Sequence, residues 1–416
     1  MNSSRPPRLV VISQVYVPDP TSVGQHFADV AEEMAARGWK VIVYTSARAY
    51  DNPAIRFPRF EERNGVQIRR LPLSSFGKGS IPVRLLAQAL FMSQAVVRSL
   101  FLPRLSAVVV STSPPFAGFG GAVVSLVKRA PLLWWVMDLN PDQMVAAGKL
   151  RPTSLFVRVF DWMNRVTLRR AAKVIALDRF MAERLNRKVD VSAKLLVAPP
   201  WPHNETPPLD DAGLQRLANA GTNFRKRHGL ENCFVVMYSG NHAIQHPLDT
   251  LLDAAAQLES EPALKFVFIG GGAGKAGVEQ RIAAGATNIL SLPYQPLETL
   301  EDSLGAGDVH VVSMGPEVVG IVHPCKIYGA MAVGRPILFF GPRESHAGEL
   351  VEPQHLGWRV EHGDVAATVA AIKQAAGLAR PERLQMGQRA AALITADFSR
   401  QHLRNEVCSA VEAMLQ

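Results

Sequence analysis

The first 200 residues alternate short apolar, β-branched runs with stretches whose apolar positions recur every three to four residues. Leu9–Gln14 reads as a strand, followed by a loop of Val17, Pro18, Asp19, Pro20, Thr21, Ser22, Val23 and Gly24. Gln25–Arg37 then places Phe27, Val30, Ala31, Met34 and Ala35 on one helical face. Gly38 is the expected left-handed cap of that helix, and Lys40–Thr45 returns to strand. Strand, helix and strand in such a short span make the βαβ unit of a parallel sheet. Further strands are expected at Gln67–Leu71 (beside Asn64-Gly65), Ala107–Ser111, Leu132–Met137, Lys173–Ala176 and Lys194–Ala198.

Pro199, Pro200, Pro202, Pro207 and Pro208 then interrupt the pattern, because proline fits neither a helix interior nor a central strand. After them the alternation resumes, with strands expected at Phe234–Tyr238, Lys265–Ile269, Asn288–Leu292, Val309–Val312 and Pro336–Phe340. Three helical runs close the chain, the last starting near Ser399. The fold class is therefore α/β, with two doubly wound domains at 1–200 and 231–397, a linker at 201–230 and a terminal helix at 398–416. Ligands of such sheets bind beyond the carboxyl ends of the strands, where the strand order switches. Two such domains imply two substrates, and hence group transfer.

Composition narrows this little. At 48% hydrophobic and 19% charged residues the chain is globular rather than disordered. The longest apolar stretch, Leu85–Leu102, is interrupted by Gln88, Gln94 and Arg98, so no membrane-spanning helix is expected. Arg5 and Arg8 precede only the short run Leu9–Ile12, too short for a signal-peptide core, and the three scattered cysteines read as buried free thiols of a cytoplasmic protein. Cys233, Cys325 and Cys408 lie far apart and fit neither a zinc spacing nor a disulfide framework.

Charge says more. The net +9 divides into 28 basic and 13 acidic residues in 1–200, against 17 and 23 in 201–416. A basic half suits nucleic acid, an anionic membrane or a phosphorylated substrate. The basic residues are scattered through αβ units without a recognition motif, which disfavours nucleic acid. Ile81–Arg104 spaces Leu85, Leu86, Leu90, Phe91, Val97, Leu100, Phe101 and Leu102 helically among Arg84, Arg98 and Arg104. It reads either as a core helix or as one lying on an anionic membrane, and Arg165–Arg170 with Lys173 could serve similarly.

Several residues carry candidate chemistry. Asp138 ends an apolar strand, as a sugar-hydroxyl contact or a loop-fixing carboxylate. Gly24 reads as a turn glycine or a site of close ligand approach, and Gly270, Gly271, Gly272 and Gly274 as a strand-end loop without the full dinucleotide fingerprint. Tyr294 is placed either to stack on a base or to pack at a strand end, while Asp249 and Asp142 read as helix N-terminal charges.

The ordered series of short motifs resembles family 4 glycosyltransferases. Val15-Tyr16-Val17-Pro18-Asp19 with Gly24 and Arg37-Gly38-Trp39-Lys40-Val41 is similar to the family's start. Tyr238-Ser239-Gly240-Asn241, Leu248-Asp249-Thr250-Leu251-Leu252, Phe268-Ile269-Gly270-Gly271-Gly272, Leu292-Pro293-Tyr294, Ala306-Gly307-Asp308 and Met331-Ala332-Val333-Gly334-Arg335-Pro336 resemble its donor domain. Thr112-Ser113-Pro114-Pro115 and the run from Trp135 to Asp142 are similar to the branch that builds O-antigen and exopolysaccharide repeat units. The resemblance implies GT-B architecture, two facing Rossmann-like domains with the C-terminal helix packed back on the first. It further implies an acceptor-binding first domain, a second domain holding a nucleotide-sugar such as a UDP-sugar, and transfer with retention. A glycan or polyprenyl-diphosphate-linked acceptor, a peripheral position on the inner face of the plasma membrane, and no metal or other cofactor are also implied.

Two departures matter. The family's Arg and Lys on the diphosphate correspond to Asn241 and His246, and its two Glu to Ile321 and Gly329. The second Glu ordinarily holds the donor ribose, which Gly329 cannot do. Substitutes are at hand in Lys326 and His323, at the start of an expected helix whose N–H groups would add donors, and in His242 and His246. The expected assignment gives Asp138, Lys326 and His246 catalytic roles, and Gly240, Asn241, His242, Gly271, Gly272, Tyr294, His323 and Lys326 the donor. Gly24 and Asp138 are assigned to the acceptor or transferred sugar. An epimerase of sugar nucleotides, or a degenerate homologue serving as an assembly partner, would share the architecture.

Overall fold

The computed structural model describes residues 6–19, 21–49, 54–74, 81–204 and 206–415; Arg5 and Pro20, used above, fall outside them. The chain divides into two units: Met1–Pro199 with Gly320–His323 and Gln401–Gln416, and Pro200–Val319 with Pro324–Arg400.

In the first unit, the described strands are β1 (Arg8–Ile12), β2 (Lys40–Ser46), β3 (Phe60–Arg63), β4 (Val66–Leu71), β5 (Ala107–Val110), β6 (Leu132–Trp135), β7 (Lys173–Ala176) and β8 (Leu195–Val197). They form one sheet in the order β3-β4-β2-β1-β5-β6-β7-β8, parallel except for the β3–β4 hairpin. The central parallel strands are buried on both faces, so Leu9–Ile12, Ala107–Val110 and Leu132–Trp135 are apolar without interruption. The helix Arg400–Ala413 belongs to this unit: Leu403, Val407, Cys408 and Val411 are buried, and Arg37 donates to Asn405 and pairs with Glu412. The helix Ile81–Leu100 buries Phe91 and Ala95 and exposes Leu86 and Val97, so it is a surface helix of the unit with one face in the core.

In the second unit, β9 (Phe234–Ser239), β10 (Leu264–Ile269), β11 (Ile289–Leu292), β12 (Val309–Ser313), β13 (Ile337–Phe340) and β14 (Gly357–Val360) form a parallel sheet in the order β11-β10-β9-β12-β13-β14. Alternate residues of β9 and β10 serve two cores. Val236, Tyr238, Phe266 and Phe268 pack with Leu251, Leu252 and Ile372 on one face. Val235, Met237, Val267 and Ile269 pack with Phe224, Leu230 and Ala306 on the other.

That second core corrects the expected linker at 201–230. The segment folds into helices Asp211–Asn219 and Thr222–His228 and belongs to the second unit. Without Phe224 and Leu230, one face of β9 and β10 would lie open to water. Arg335 fixes the segment in place, donating to the carbonyls of Leu217, Ala220, Gly305 and Gly307. The segment 320–323 likewise joins the first unit instead of the second: the Leu139 N–H donates to the Ile321 carbonyl at 2.9 Å.

Candidate active site

Strand order places the site of the second unit. Chain order runs outward from β9 to β10 and β11 on one side, then returns to β12 on the other, so the switch lies between β9 and β12. The loops leaving these two strands are tied together. Gly315 N–H donates to Gln245 O at 3.0 Å, Ser313 Oγ to Pro247 O at 2.6 Å and His246 Nδ1 to Ser313 O at 2.6 Å.

Lys326 reaches this switch from the start of the helix Lys326–Ala332. A Cβ on Gly240, whose φ is +132°, would stand 2.7 Å from Lys326 Cε, so glycine is what lets the lysine lie across the end of β9. Its ammonium sits 5.3 Å from the Tyr238 ring centroid, and the Tyr238 hydroxyl donates to Asn241 O at 2.8 Å. Burial lowers the Lys326 pKa to about 8, which leaves a cation at neutral pH that is poorly solvated and fit to meet an anion. The first N–H groups of this short helix are already used, Ile327 N donating to Pro324 O and Tyr328 N to Cys325 O. Two of the expected donors from its start are therefore not free, and the charge comes from the side chain.

Around Lys326 the structure gathers most of the expected donor residues. A Cβ on Gly272 (φ +127°) would stand 2.3 Å from Asn241 Oδ1, so the glycine-rich loop and the β9 loop touch. His242 N–H donates to Gly271 O at 2.7 Å. Tyr294, 47% exposed, packs its ring against Gly271 and donates its hydroxyl to that carbonyl at 3.4 Å. Lys275, which sequence reasoning missed, donates to Gly270 O and Leu292 O and so holds the loop across β10 and β11.

The two expected donor histidines are both held neutral. Burial first, then Lys275 and Lys326, lowers the His242 pKa to about 4; the ring is fully buried and both its nitrogens lack partners. Burial and Lys326 lower His246 to about 3, and its Nδ1–H is spent on Ser313. A neutral ring with only an acceptor nitrogen remaining repels a phosphate oxygen, so His246 is corrected from a diphosphate ligand to a tie between the two loops.

His323 is corrected as well. It donates from Nδ1 to Asp178 Oδ2 at 2.7 Å, within the first unit, both side chains being buried. Asp178 also caps the helix Arg179–Lys188, accepting from Met181 N–H at 2.8 Å. The same unit holds Asp138 beyond β6, its N–H donating to Thr112 Oγ1 at 3.1 Å. Burial raises the Asp138 carboxyl pKa to about 6, with His323 pulling the other way. The signal for Asp178 was visible, an acid after an apolar strand and before a helix, but its partner lies 145 residues away. Gly24 lies instead in the first turn of Ser22–Ala36; its N–H donates to the capping Thr21 Oγ1, and a side chain would press on the Tyr16 backbone. It is corrected from a ligand-facing glycine to a packing one.

No carboxylate stands at the family's two Glu positions. Ile321 is buried, and a Cβ on Gly329 would lie 3.9 Å from the side-chain oxygen of Asn204, whose amide atoms are buried without partners. A cavity of about 540 Å³ lies elsewhere, at the amino ends of the strands, lined by Arg225, Arg335, Arg380, Arg383 and Asp308. Arg335 and Arg225 are engaged there by carbonyls and Asp308, which makes this cavity part of the scaffold.

A family model described as a glycosyl transferase 4-like domain matches residues 21–201, and one described as glycosyl transferases group 1 matches residues 233–377. WcaI of Escherichia coli K12, named for a glycosyl transferase of colanic acid biosynthesis, is 26% identical over 387 residues, covering 88% of this chain and 92% of its own. WbjE of Pseudomonas aeruginosa, named as a glycosyltransferase, is 22% identical over 374 residues, covering 88% and 89%. Among solved structures, HepE of Anabaena with UDP and glucose matches 97% of this chain and 99% of its own, at 17% identity and a TM-score of 0.71. That likeness is one of fold.

Proposed function

Because the chain belongs to the family 4 glycosyltransferases and has their GT-B fold, we propose that it moves a hexose from a UDP-sugar to a lipid-linked glycan acceptor, with retention of configuration. The observation that carries this reading is Lys326, a half-buried cation laid over Gly240 at the β9/β12 switch of the second unit. HepE's complex with UDP and glucose supports the donor, and the naming of WcaI for colanic acid biosynthesis supports a cell-surface polysaccharide as product. The proposed setting is the cytoplasm, peripheral to an anionic membrane, and no metal is assigned to the reaction.

In this scheme the Lys326 ammonium neutralises charge as the sugar–phosphate bond breaks, the kind of preorganised stabilisation that needs no movement at the moment of reaction. Gly271, Gly272, Asn241 and His242 shape the nucleotide end, Tyr294 stacks on the base, and the Asn204 amide takes the donor ribose in place of the absent Glu. None of the carboxylates among the described residues is assigned as a nucleophile in this scheme, which takes the front-face form. The departing phosphate oxygen then takes the proton of the acceptor hydroxyl. Asp138 and His323 are assigned to hydroxyls of the acceptor or transferred sugar.

A thermal-shift screen over UDP-, GDP- and ADP-sugars, followed by transfer to polyprenyl-diphosphate-linked glycans, tests the reading. Stabilisation by a UDP-sugar and transfer with retention are expected. Stabilisation by none of them, or product formed from UDP-sugar without acceptor, overturns it.

A further inference from the structure

Three helices of the first unit, Ile81–Leu100, Ala117–Lys128 and Leu155–Arg170, pack in that order on one another, the middle one touching both neighbours. Their inner sides are core; their outer sides are apolar too. Leu155, Val159 and Trp162 form a stripe at helical spacing on the third helix, with Leu155 75% and Trp162 53% exposed. The Trp162 ring lies 5.5 Å from that of Phe119 on the middle helix, which exposes Leu126 near its end. Phe101, just beyond the first helix, is 84% exposed.

The charge on this face has one sign. Between Ile81 and Asp138 the chain has Arg84, Arg98, Arg104, Lys128 and Arg129 and no Asp or Glu. On the third helix the one acid, Asp161, is bound by Arg165 at 2.7 Å and by Lys188 at 2.6 Å. Arg98, Arg104, Arg129, Arg158 and Arg169 are exposed. A merely solvated helix face mixes signs and lacks large apolar groups, and a face built for a second copy of itself would set these arginines against one another. Exposed aliphatic and aromatic side chains rimmed only by cations match an anionic bilayer, whose headgroups meet the arginines while the apolar tips enter the acyl boundary.

We propose that this three-helix face, centred on Trp162 and Leu155, docks the enzyme on an anionic lipid surface. The proposal deepens the lipid-linked acceptor reading by naming the surface that brings the chain to its acceptor. It also extends beyond the 81–104 segment to two helices whose apolar stripes the sequence left unremarked.

Flotation of the full-length protein with vesicles of phosphatidylethanolamine and phosphatidylglycerol, against phosphatidylcholine alone, tests it without requiring activity. The wild-type chain is expected to float with the anionic vesicles only. The variant Trp162→Glu with Leu155→Glu should lose at least about tenfold in partitioning. Its melting temperature and its UDP-sugar thermal shift should be unchanged. Failure of the wild type to float, equal flotation of the variant, or a sedimentation dimer that the variant abolishes without any vesicle binding each overturns the proposal. A missing UDP-sugar shift alongside normal flotation would instead fault the donor assignment alone.

Discussion

The two units invert each other's charge between surface and site. Residues 1–200 carry 28 basic against 13 acidic residues, yet the buried pair and its neighbour at that sheet's carboxyl edge are built on Asp178 and Asp138. Residues 201–416 carry 17 basic against 23 acidic, yet their switch-point loops hold Lys326 and Lys275. Surface charge answers to partners and solubility over many ångströms. A site charge answers to the few groups around it and costs desolvation, visible in Lys326 displaced downward and Asp138 upward. Net charge therefore bears on which unit is proposed to face an anionic surface, and says nothing about which group is placed to take an anion.

The largest effect should come from removing the cation. Lys326→Met keeps the stem over Gly240 and Tyr238 but loses the charge, and turnover should fall by roughly 10²–10³-fold, as for other single stabilising donors. Its melting temperature at pH 7 should not fall. A cation whose folded pKa is lowered from 10.5 to about 8 costs stability at neutral pH, and the substitution removes that cost. A variant that melts early would make Lys326 structural and erase the contrast between the units.

Asp138→Asn comes next, with turnover down by about tenfold to a hundredfold in steady-state assays. Its stability sharpens the comparison. A carboxyl raised from 3.8 to about 6 in the folded state contributes stability below pH 4 that is lost as pH rises through 6. The variant should thus melt higher than wild type at pH 7.5 and equally at pH 4.

Asp178→Asn should retain the helix cap, since Asn also accepts from Met181 N–H, while the carboxylate behind His323 is lost. About a tenfold loss of turnover is expected. Adding Asp178→Asn to His323→Ala should cost nothing further, because the carboxylate acts through the ring. The smallest effect is the pH profile itself, in which wild-type turnover declines as pH rises through about 8 and Lys326 loses its proton. A profile flat to pH 10 would break the assignment.

Much of the fold was legible because parallel strands buried on both faces leave uninterrupted apolar runs, as at Ala107–Val110 and Ile337–Phe340. β3 was not, since Phe60–Arg63 is a polar, largely exposed edge strand that pairs only with β4, across the Asn64-Gly65 turn. β14 opens on a glycine and hid likewise. The prolines near residue 200 suggested a linker, and only the uncovered face of β9 shows why Phe224 must fold back there. Within the site, the glycine loop was readable because it lies just after an apolar strand, and Lys326 because it opens a helix after Pro324. His323 was misplaced because a loop's position in the chain does not say which unit it joins, and Asp178 showed only as an acid between strand and helix because its partner lies on that loop.

The central claim is that Lys326 meets the donor's diphosphate, and calorimetric titration of UDP and uridine into wild type and Lys326→Met tests it most directly. The account predicts that the variant loses about tenfold to a hundredfold in affinity for UDP while its affinity for uridine is unchanged. Unchanged UDP affinity, or an equal loss for uridine, would contradict it.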